Sequence, residues 1–289
     1  MQDQRQDCID RIVNLQDFPI TQAGSRAWRL AVERIRVQLS AQGCSVLRGF
    51  IHSSALQRLE AESVAVAPKA FFNIETVNAY NIALDSKLED EHPAKLTFER
   101  GNAFVARDQI STDSLVHQLY TSPAFQQFVA ACFEVDVVHE LADPLAGLCI
   151  NVLQAGREHP WHFDTNEYTV SLLTKSPSAG GQFEFCPNIR TPEQENLNNV
   201  KAVLENSAGD RIQRLSLRCG DLQLFRGRHS LHRVNRVTGQ DERHSAIFAY
   251  TEKPGVIGSV ERTRQLFGRV LPEHYAAQTL AVRSDALLD

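Results

Sequence analysis

The chain has 289 residues, of which 43% are hydrophobic and 22% are charged, and its formal net charge is −5. This balance is typical of a globular protein and excludes a fibrous or disordered chain. The basic residues are scattered and have no interleaved aromatic residues, so we expect no nucleic-acid partner. The length is near the upper limit for one hydrophobic core, and we predict a single domain over residues 1–289.

The cysteines and the N-terminal sequence predict a cellular compartment. The six cysteines are widely separated and form no CxxC pair, which is typical of free thiols in a reducing environment. The N-terminal sequence MQDQRQDCID lacks the apolar core of a signal peptide. No run of about 18 apolar residues, the length of a membrane span, occurs. We therefore expect a cytoplasmic protein with no membrane partner.

Residues 1–145 are predicted to be mainly helical. The first helix follows Ser25, a good N-cap residue; apolar residues recur every four positions as far as Leu39, and Gly43 ends it. A short strand, CSVLRGF, comes next, followed by a second helix in SSALQRLEAESVAVA. The pattern is weak from Phe71 to Glu99, where we predict loops that form part of a substrate wall. Residues 111–135 predict further helices with a break at Pro123.

From residue 146 the period of the hydrophobic pattern changes to two, which indicates strands. Glycine, proline and charged turns separate the segments AGLCINVLQAG, EYTVSLLT, GGQFEFCP, RLSLRCGDLQLFRG and RHSAIFAYTE. Short strands after helices favour an antiparallel barrel or sandwich over 146–252, with the N-terminal helices packed outside. The polar insertion 187–210 predicts a lid, an inserted helix or a mobile surface segment. The C-terminal extension 253–289 is predicted to be partly helical, capping the active site or forming a homodimer contact.

The segment WHFDTNEY contains a candidate pair of metal ligands. His162 and Asp164 are two residues apart, so in a strand their side chains share one face. The pair alone is a weak signal, but FRGRHSLHRV offers His229 or His232 as a third ligand. Two imidazoles and one carboxylate suit non-haem Fe(II), and catalytic zinc uses the same set.

A candidate anion site follows in the next strand. Arg243 and Ser245 share one face, where a guanidinium and a hydroxyl can bind a carboxylate by charge-assisted hydrogen bonds. Ile247 and Ala249 lie on the same face and make that wall apolar. His244 is predicted to point the opposite way.

The ordered motif HxD, distal histidine and arginine resembles that of the 2-oxoglutarate- and Fe(II)-dependent dioxygenases. GGQFEF and GDLQLFRGRHSLHRV also look like core strands of that superfamily. The resemblance implies a double-stranded β-helix, or jelly-roll, barrel in an α+β protein. It implies that His162, Asp164 and His232 bind Fe(II), and that Arg243 with Ser245 binds the far carboxylate of 2-oxoglutarate. His232 fits the spacing to Arg243 better than His229, which could instead orient a ligand or the substrate.

Within the superfamily, NAFVARDQI, HPWHFD and LFRGRHSLHRV look most like enzymes that act on free amino acids, which include hydroxylases and radical halogenases. The resemblance implies consumption of O2 and 2-oxoglutarate, release of succinate and CO2, and hydroxylation of an unactivated C–H bond. Halogenases of that group replace the carboxylate ligand with a small residue so that chloride can bind. Because Asp164 occupies this position, we predict hydroxylation.

The expected partner is a small, amino-acid-like substrate. Arg100 is a candidate clamp for its carboxylate or, alternatively, an exposed arginine; Arg107 and Asp108 are weaker candidates. His159 is either a substrate contact or a loop histidine. Two other readings remain: a peptidyl or protein hydroxylase with the same iron site, and a noncatalytic jelly-roll protein that binds a metal or small ligand.

Overall fold

The computed structural model describes residues 9–84, 87–165, 168–277 and 287–288. Cys8 and residues 278–286 and 289 of the predicted C-terminal extension lie outside this range. The other five cysteines are free thiols, four of them buried. No helix in the described residues is long and apolar enough to cross a membrane.

The longest helix, α1, forms where the sequence predicts it. The hydroxyl of Ser25 accepts a hydrogen bond from the backbone N–H of Trp28 at 3.1 Å, and Gly43 ends the helix with a left-handed φ of 63°. In the described part of the chain, residues 9–12 are also helical, four further complete helices surround the sheets, and two short ones follow the last strand. The helices are α1 Arg26–Gln42, α2 Leu56–Val66, α3 Leu115–Tyr120, α4 Pro123–Phe133, α5 Leu197–Leu204, α6 Val260–Phe267 and α7 Pro272–Ala277.

Twelve described strands form two antiparallel sheets. The large sheet has the order β1-β10-β7-β12-β5-β3-β2, with β4 paired to β12, and the small sheet has the order β6-β11-β8-β9. The main core lies between the large sheet and the helices α1 to α4. The strands are β1 Cys44–Leu47, β2 Phe71–Asn78, β3 Thr97–Val105, β4 His139–Glu140, β5 Leu148–Leu153, β6 His159–His162, β7 Tyr168–Lys175, β8 Phe183–Cys186, β9 Gln213–Leu215, β10 Leu222–Phe225, β11 Leu231–Val234 and β12 Arg243–Thr251.

The loops predicted between Phe71 and Glu99 are wrong in part. β2 and β3 pair in one register along all eight residues of β2, and β3 continues the large sheet beside β5. β2 is an edge strand whose Phe72 and Ile74 are partly exposed. Its residues therefore lack the buried-and-exposed alternation that makes a strand recognisable in a sequence. In the described residues, the N-terminal part thus supplies four strands, β1 to β4, as well as helices.

Two other segments are resolved in more detail than the sequence allowed. The single strand expected in RLSLRCGDLQLFRG is split at Gly220, whose φ is 89°, into β9 and β10 in different sheets. The insertion 187–210 contains α5, whose Val200 and Val203 pack in an apolar cluster with Tyr80. No residue of this insertion lines the cavity between the sheets, so it is an inserted helix rather than a wall of the site.

Candidate active site

A cavity lies between the two sheets and is lined by strands of both. Its inner wall carries His162, Asp164 and His232, and a second wall carries Arg243 and Ser245. The HxD motif and the pair Arg243 and Ser245, which are separated by about one third of the chain, therefore line the same cavity.

Paired strands bring the two histidines together. β6 and β11 are antiparallel neighbours, and His162 and His232 are direct partners in their register. Asp164 follows two residues after the end of β6. Its Oδ1 lies 3.8 Å from Nε2 of His162 and 3.4 Å from Nε2 of His232. One ligand atom from each of the three side chains falls within 4.8 Å of the others.

Hydrogen bonds orient both imidazoles in the same way. Nδ1 of His162 lies 2.8 Å from the carbonyl of Pro160, and Nδ1 of His232 lies 3.0 Å from that of Ser230. Because a carbonyl oxygen can only accept, Nδ1 carries the proton in each ring and Nε2 keeps its lone pair. Burial, together with His159 and His232, holds the pKa of His162 well below its usual value. A neutral imidazole with a free Nε2 is the form that binds a metal.

The carboxylate of Asp164 is fixed on its other side. Its Oδ2 accepts a hydrogen bond from the hydroxyl of Thr169 at 2.7 Å. Burial raises the pKa of Asp164, but His232, His162 and the Thr169 hydroxyl outweigh it and hold the pKa below its usual range. A Cβ atom at Gly227 would stand 1.9 Å from Oδ2, so only glycine fits at that position beside an aspartate.

The three groups fit a divalent metal ion. Two Nε2 lone pairs and one ionised carboxylate converge on a single point, and both imidazoles have the hydrogen-bonded Nδ1 that is typical of metal-ligating histidines. Fe(II) with open positions and catalytic zinc both use this ligand set.

Arg243 is a buried cation without a counter-charge. Only 4% of the residue is exposed, and its Nη1 donates to the hydroxyl of Ser245 at 2.5 Å. No carboxylate of the described residues forms an ion pair with it. Burial lowers its pKa to about 10, which still leaves it charged at neutral pH. A buried, charged group of this kind is stabilised when an anion binds beside it.

The neighbouring side chains of β12 follow the predicted alternation in part. Ile247 lines the cavity with Arg243 and Ser245, whereas Ala249 is buried elsewhere. His244 points to the opposite face, where its Nδ1 lies 3.0 Å from the hydroxyl of Ser63 in α2.

Among the candidate substrate residues, His159 lies in the cavity and Arg100 behind it. The ring of His159 stacks on that of His162, with centroids 4.0 Å apart. Arg100 is 4% exposed and is not part of the cavity wall. It forms an ion pair of 2.5 Å with Glu75, its direct partner across β2 and β3. Arg100 is therefore not the exposed arginine of the alternative interpretation.

The weaker candidates lie outside the cavity. Arg107 forms an ion pair with Glu140 at 2.7 Å, and Asp108 one with Arg269 at 2.6 Å. His229 belongs neither to the metal-ligand cluster nor to the cavity wall.

Sequence reasoning missed three residues of the site: Thr169, Gly227 and Arg262. The last lies on α6, which forms part of the cavity wall. Gly227 lies within the segment LFRGRHSLHRV, but nothing in that segment singles it out, and the proximity of all three to the cluster depends on how distant segments pack.

The family comparison covers most of the chain: residues 29–262 match the family model Halogenase D. No curated protein sequence matches the chain.

Solved structures share the fold at low sequence identity. AviO1 from Streptomyces viridochromogenes Tue57 has a TM-score of 0.52 and 16% identity, over 78% of this chain and 96% of that one. The epimerase SnoN from nogalamycin biosynthesis, in complex with Fe3+, alpha ketoglutarate and nogalamycin RO, has a TM-score of 0.52 and 13% identity, over 77% and 84%. A prolyl hydroxylase from Trichoplax adhaerens, in complex with a peptide fragment, has a TM-score of 0.50 and 14% identity, over 79% and 94%.

These likenesses confirm the predicted fold, a double-stranded β-helix with outer helices. The family match confirms the relation to amino-acid hydroxylases and halogenases that the motifs indicated. The chain belongs to the Halogenase D family, and its fold is shared by a solved structure that holds Fe3+ and alpha ketoglutarate.

Proposed function

We propose that the protein hydroxylates an unactivated C–H bond of a small molecule, a free or derivatised amino acid. The reaction is R–H + 2-oxoglutarate + O2 → R–OH + succinate + CO2, in which one oxygen atom enters the product and the other enters succinate. One observation carries the proposal: a complete His162, Asp164 and His232 cluster faces the unpaired Arg243 across one cavity.

Each residue of the cluster has a defined task in this proposal. His162, Asp164 and His232 hold Fe(II), and the carbonyls of Pro160 and Ser230 keep the two imidazoles in the binding tautomer. When bound, the iron supplies the oxygen chemistry that amino-acid side chains cannot perform. The protein contributes position, charge and the exclusion of water.

Arg243 and Ser245 bind the distal carboxylate of 2-oxoglutarate. The guanidinium donates to the hydroxyl, which keeps both groups aimed at the same point of the cavity. Two charge-assisted hydrogen bonds from a pre-positioned pair favour a carboxylate over a neutral ligand. This also disfavours a noncatalytic binding protein, in which a cosubstrate clamp has no role.

We favour hydroxylation over halogenation, the reaction that the name of the matched family describes. Asp164 occupies the position at which related halogenases have a small residue, and its carboxylate is supported by Thr169 and fits closely against Gly227. The carboxylate is therefore well positioned as a ligand and leaves no gap at its own position for a chloride ion.

A small-molecule substrate is favoured over a protein because α6 contributes to the cavity wall. Arg262, Thr263, Leu266 and Phe267 of this helix all line the cavity, so the helix leaves less open space for an extended peptide.

The test is coupled turnover by Fe(II)-reconstituted protein in the presence of chloride. Free amino acids, N-acyl derivatives and short peptides are screened by mass spectrometry together with succinate formation. We expect a product heavier by one oxygen atom from a free or N-acylated amino acid. Efficient chlorination would contradict the assignment of Asp164, and reaction with peptides alone would favour the peptidyl hydroxylase.

Variants of the ligands make this test specific. Asp164→Ala and His232→Ala are expected to abolish coupled succinate formation, because each removes one of the three ligands. His229→Ala is the matched control for the alternative distal ligand and is expected to retain bound iron. Turnover that survives His232→Ala but not His229→Ala would show that the distal ligand is misassigned.

A further inference from the structure

Arg262 is held in the cavity wall by the local structure of α6. The hydroxyl of Ser259 caps the helix by accepting from the backbone N–H of Arg262 at 3.2 Å. The residue before the cap, Gly258, donates its N–H to the buried carboxylate of Asp143 at 3.0 Å, which ties the start of α6 to the barrel. The guanidinium is positioned further by Gln265, whose Oε1 accepts from Nη1 at 2.6 Å.

Arg262 forms no ion pair with a described residue, and the carboxylates of Asp164 and Glu75 act on its charge only from beyond ion-pair distance. No carboxylate of the described residues lies within ion-pair distance of it, and its side-chain hydrogen bond goes to a neutral amide. Burial first, and then the charge of Arg100, lower its pKa to about 9. It therefore remains a cation at neutral pH.

Arg100, on β3, differs from Arg262 because a carboxylate pairs with its charge. That arginine is neutralised by Glu75 in an ion pair of 2.5 Å and stays out of the cavity wall. The described cavity wall thus presents two arginines, Arg243 and Arg262, and each has only a neutral side-chain partner. Arg243 is assigned to the distal carboxylate of the cosubstrate, which leaves Arg262 for a second anion.

The surface beside Arg262 is apolar. Phe104, Cys149 and Phe267 form one cluster, against which Ile247 and Leu266 pack, and all five line the cavity. Among the described lining residues, Asp164 is the only carboxylate, and it belongs to the metal-ligand cluster. The described wall offers an anion site and apolar contacts, but no carboxylate to receive a cationic side chain.

We propose that Arg262 binds a carboxylate of the substrate, and that the substrate is an acid with an apolar body, such as an aliphatic or aromatic amino acid, rather than a basic amino acid. The carboxylate lies against α6, the apolar body contacts the Phe104 and Phe267 cluster, and the reacting carbon faces His162 and Asp164. This inference rests on the proposed function, since it names the substrate of the same site. It makes Arg262 a specificity-determining residue.

The test compares each acid with its own primary amide. Leucine, phenylalanine and 4-methylpentanoate are paired with their amides, and lysine is added as a basic amino acid. Turnover gives kcat/KM for each compound. Calorimetry gives its Kd for protein loaded with Mn(II) and 2-oxoglutarate, without turnover. The variants are Arg262→Gln, Arg262→Lys and, as a matched control on the same helix, Arg264→Gln, which alters an exposed arginine bonded to Tyr275.

Wild-type protein is expected to prefer at least one apolar acid over its amide and over lysine. Arg262→Gln should weaken binding of the acid by about tenfold or more while binding of the amide changes little, because the lost interaction is charge-assisted. Arg262→Lys should restore part of the preference, and Arg264→Gln should keep all of it. A purely structural role would weaken acid and amide equally.

Three results would overturn the inference: an unchanged preference in Arg262→Gln, a preference of the wild type for lysine, or binding of none of the apolar acids by protein that binds 2-oxoglutarate. In each of these cases the iron and cosubstrate site stands. Failure of the wild type to bind 2-oxoglutarate at all would instead contradict the proposed function.

Discussion

Two buried arginines, Arg190 and Arg243, lie in different regions and have opposite surroundings. Arg190 is fully buried within the insertion 187–210, where it pairs with Glu195 at 3.1 Å, donates to the carbonyl of Arg228 at 2.7 Å and stacks over the ring of Phe163. Arg243 is nearly as buried but has only the hydroxyl of Ser245. Burial of a charge therefore does not distinguish a binding site from a structural ion pair.

The missing counter-charge is the distinguishing feature. Glu195 and the carbonyl of Arg228 compensate the desolvation of Arg190 within the folded chain. Arg190 therefore stabilises the fold. No carboxylate of the described residues compensates the desolvation of Arg243. Under the proposed function, the bound cosubstrate offsets that cost. Arg262 is only partly buried but resembles Arg243 in forming no ion pair with a described residue, whereas Arg100 resembles Arg190 in forming one.

The largest expected effect is on stability, at Arg190. Arg190→Met leaves the charge of Glu195 without its cation and removes the contacts to Arg228, Leu288 and Phe163 in other segments. The free energy of unfolding should therefore fall by about 3 kcal/mol. Chemical denaturation measures this loss. The folded variant should bind 2-oxoglutarate with unchanged affinity. A loss of that affinity without destabilisation would contradict the assignment of Arg190 to the stability of the fold.

Arg243→Gln should produce the reverse result. Loss of the charge should raise the Kd of 2-oxoglutarate by about 100-fold, since a buried charged partner contributes a few kcal/mol to such a pair. The free energy of unfolding should stay constant or rise, because an uncompensated buried charge is removed. Calorimetry and denaturation on the same preparation measure both quantities. Marked destabilisation with unchanged affinity would place Arg243 in the same class as Arg190.

The smallest expected effect is at Thr169, which supports a ligand without an ionic charge. Thr169→Val removes the hydrogen bond to Asp164 but keeps a side chain of similar shape, and the Kd for Fe(II) should rise by about tenfold. Competition with a metal chelator measures this change. Thr174→Val, in the same strand but bonded to Ser63, is the control and should leave the Kd for Fe(II) unchanged.

The sequence predicts those parts of the site that depend on local geometry. Alternation along a strand places Arg243, Ser245 and Ile247 on one face and His244 on the other, and the structure has this arrangement. The grouping of His232 with His162 came from a family resemblance, since nothing local shows that β6 and β11 are neighbours.

The parts that escaped prediction depend on contacts between distant segments. Glu75 neutralises Arg100 because β2 pairs with β3, and that pairing involves an edge strand with little hydrophobic alternation. Arg262 is one of several arginines in a helical segment, and only the packing of α6 against the barrel distinguishes it. Compensation of charge is a property of the folded chain, which explains why the contrast between Arg100 and Arg262 is absent from the sequence pattern.

Anaerobic titration of 2-oxoglutarate into Fe(II)-loaded protein tests whether His162, Asp164 and His232 form an iron site that also binds this cosubstrate. The superfamily resemblance implies a weak visible charge-transfer band when iron and cosubstrate bind together. We expect one Fe(II) per chain and a saturable band in the wild type, with iron binding weakened in Asp164→Ala. Folded, iron-loaded wild-type protein that shows no band at saturating 2-oxoglutarate would contradict the proposed function and favour a noncatalytic metal-binding jelly roll.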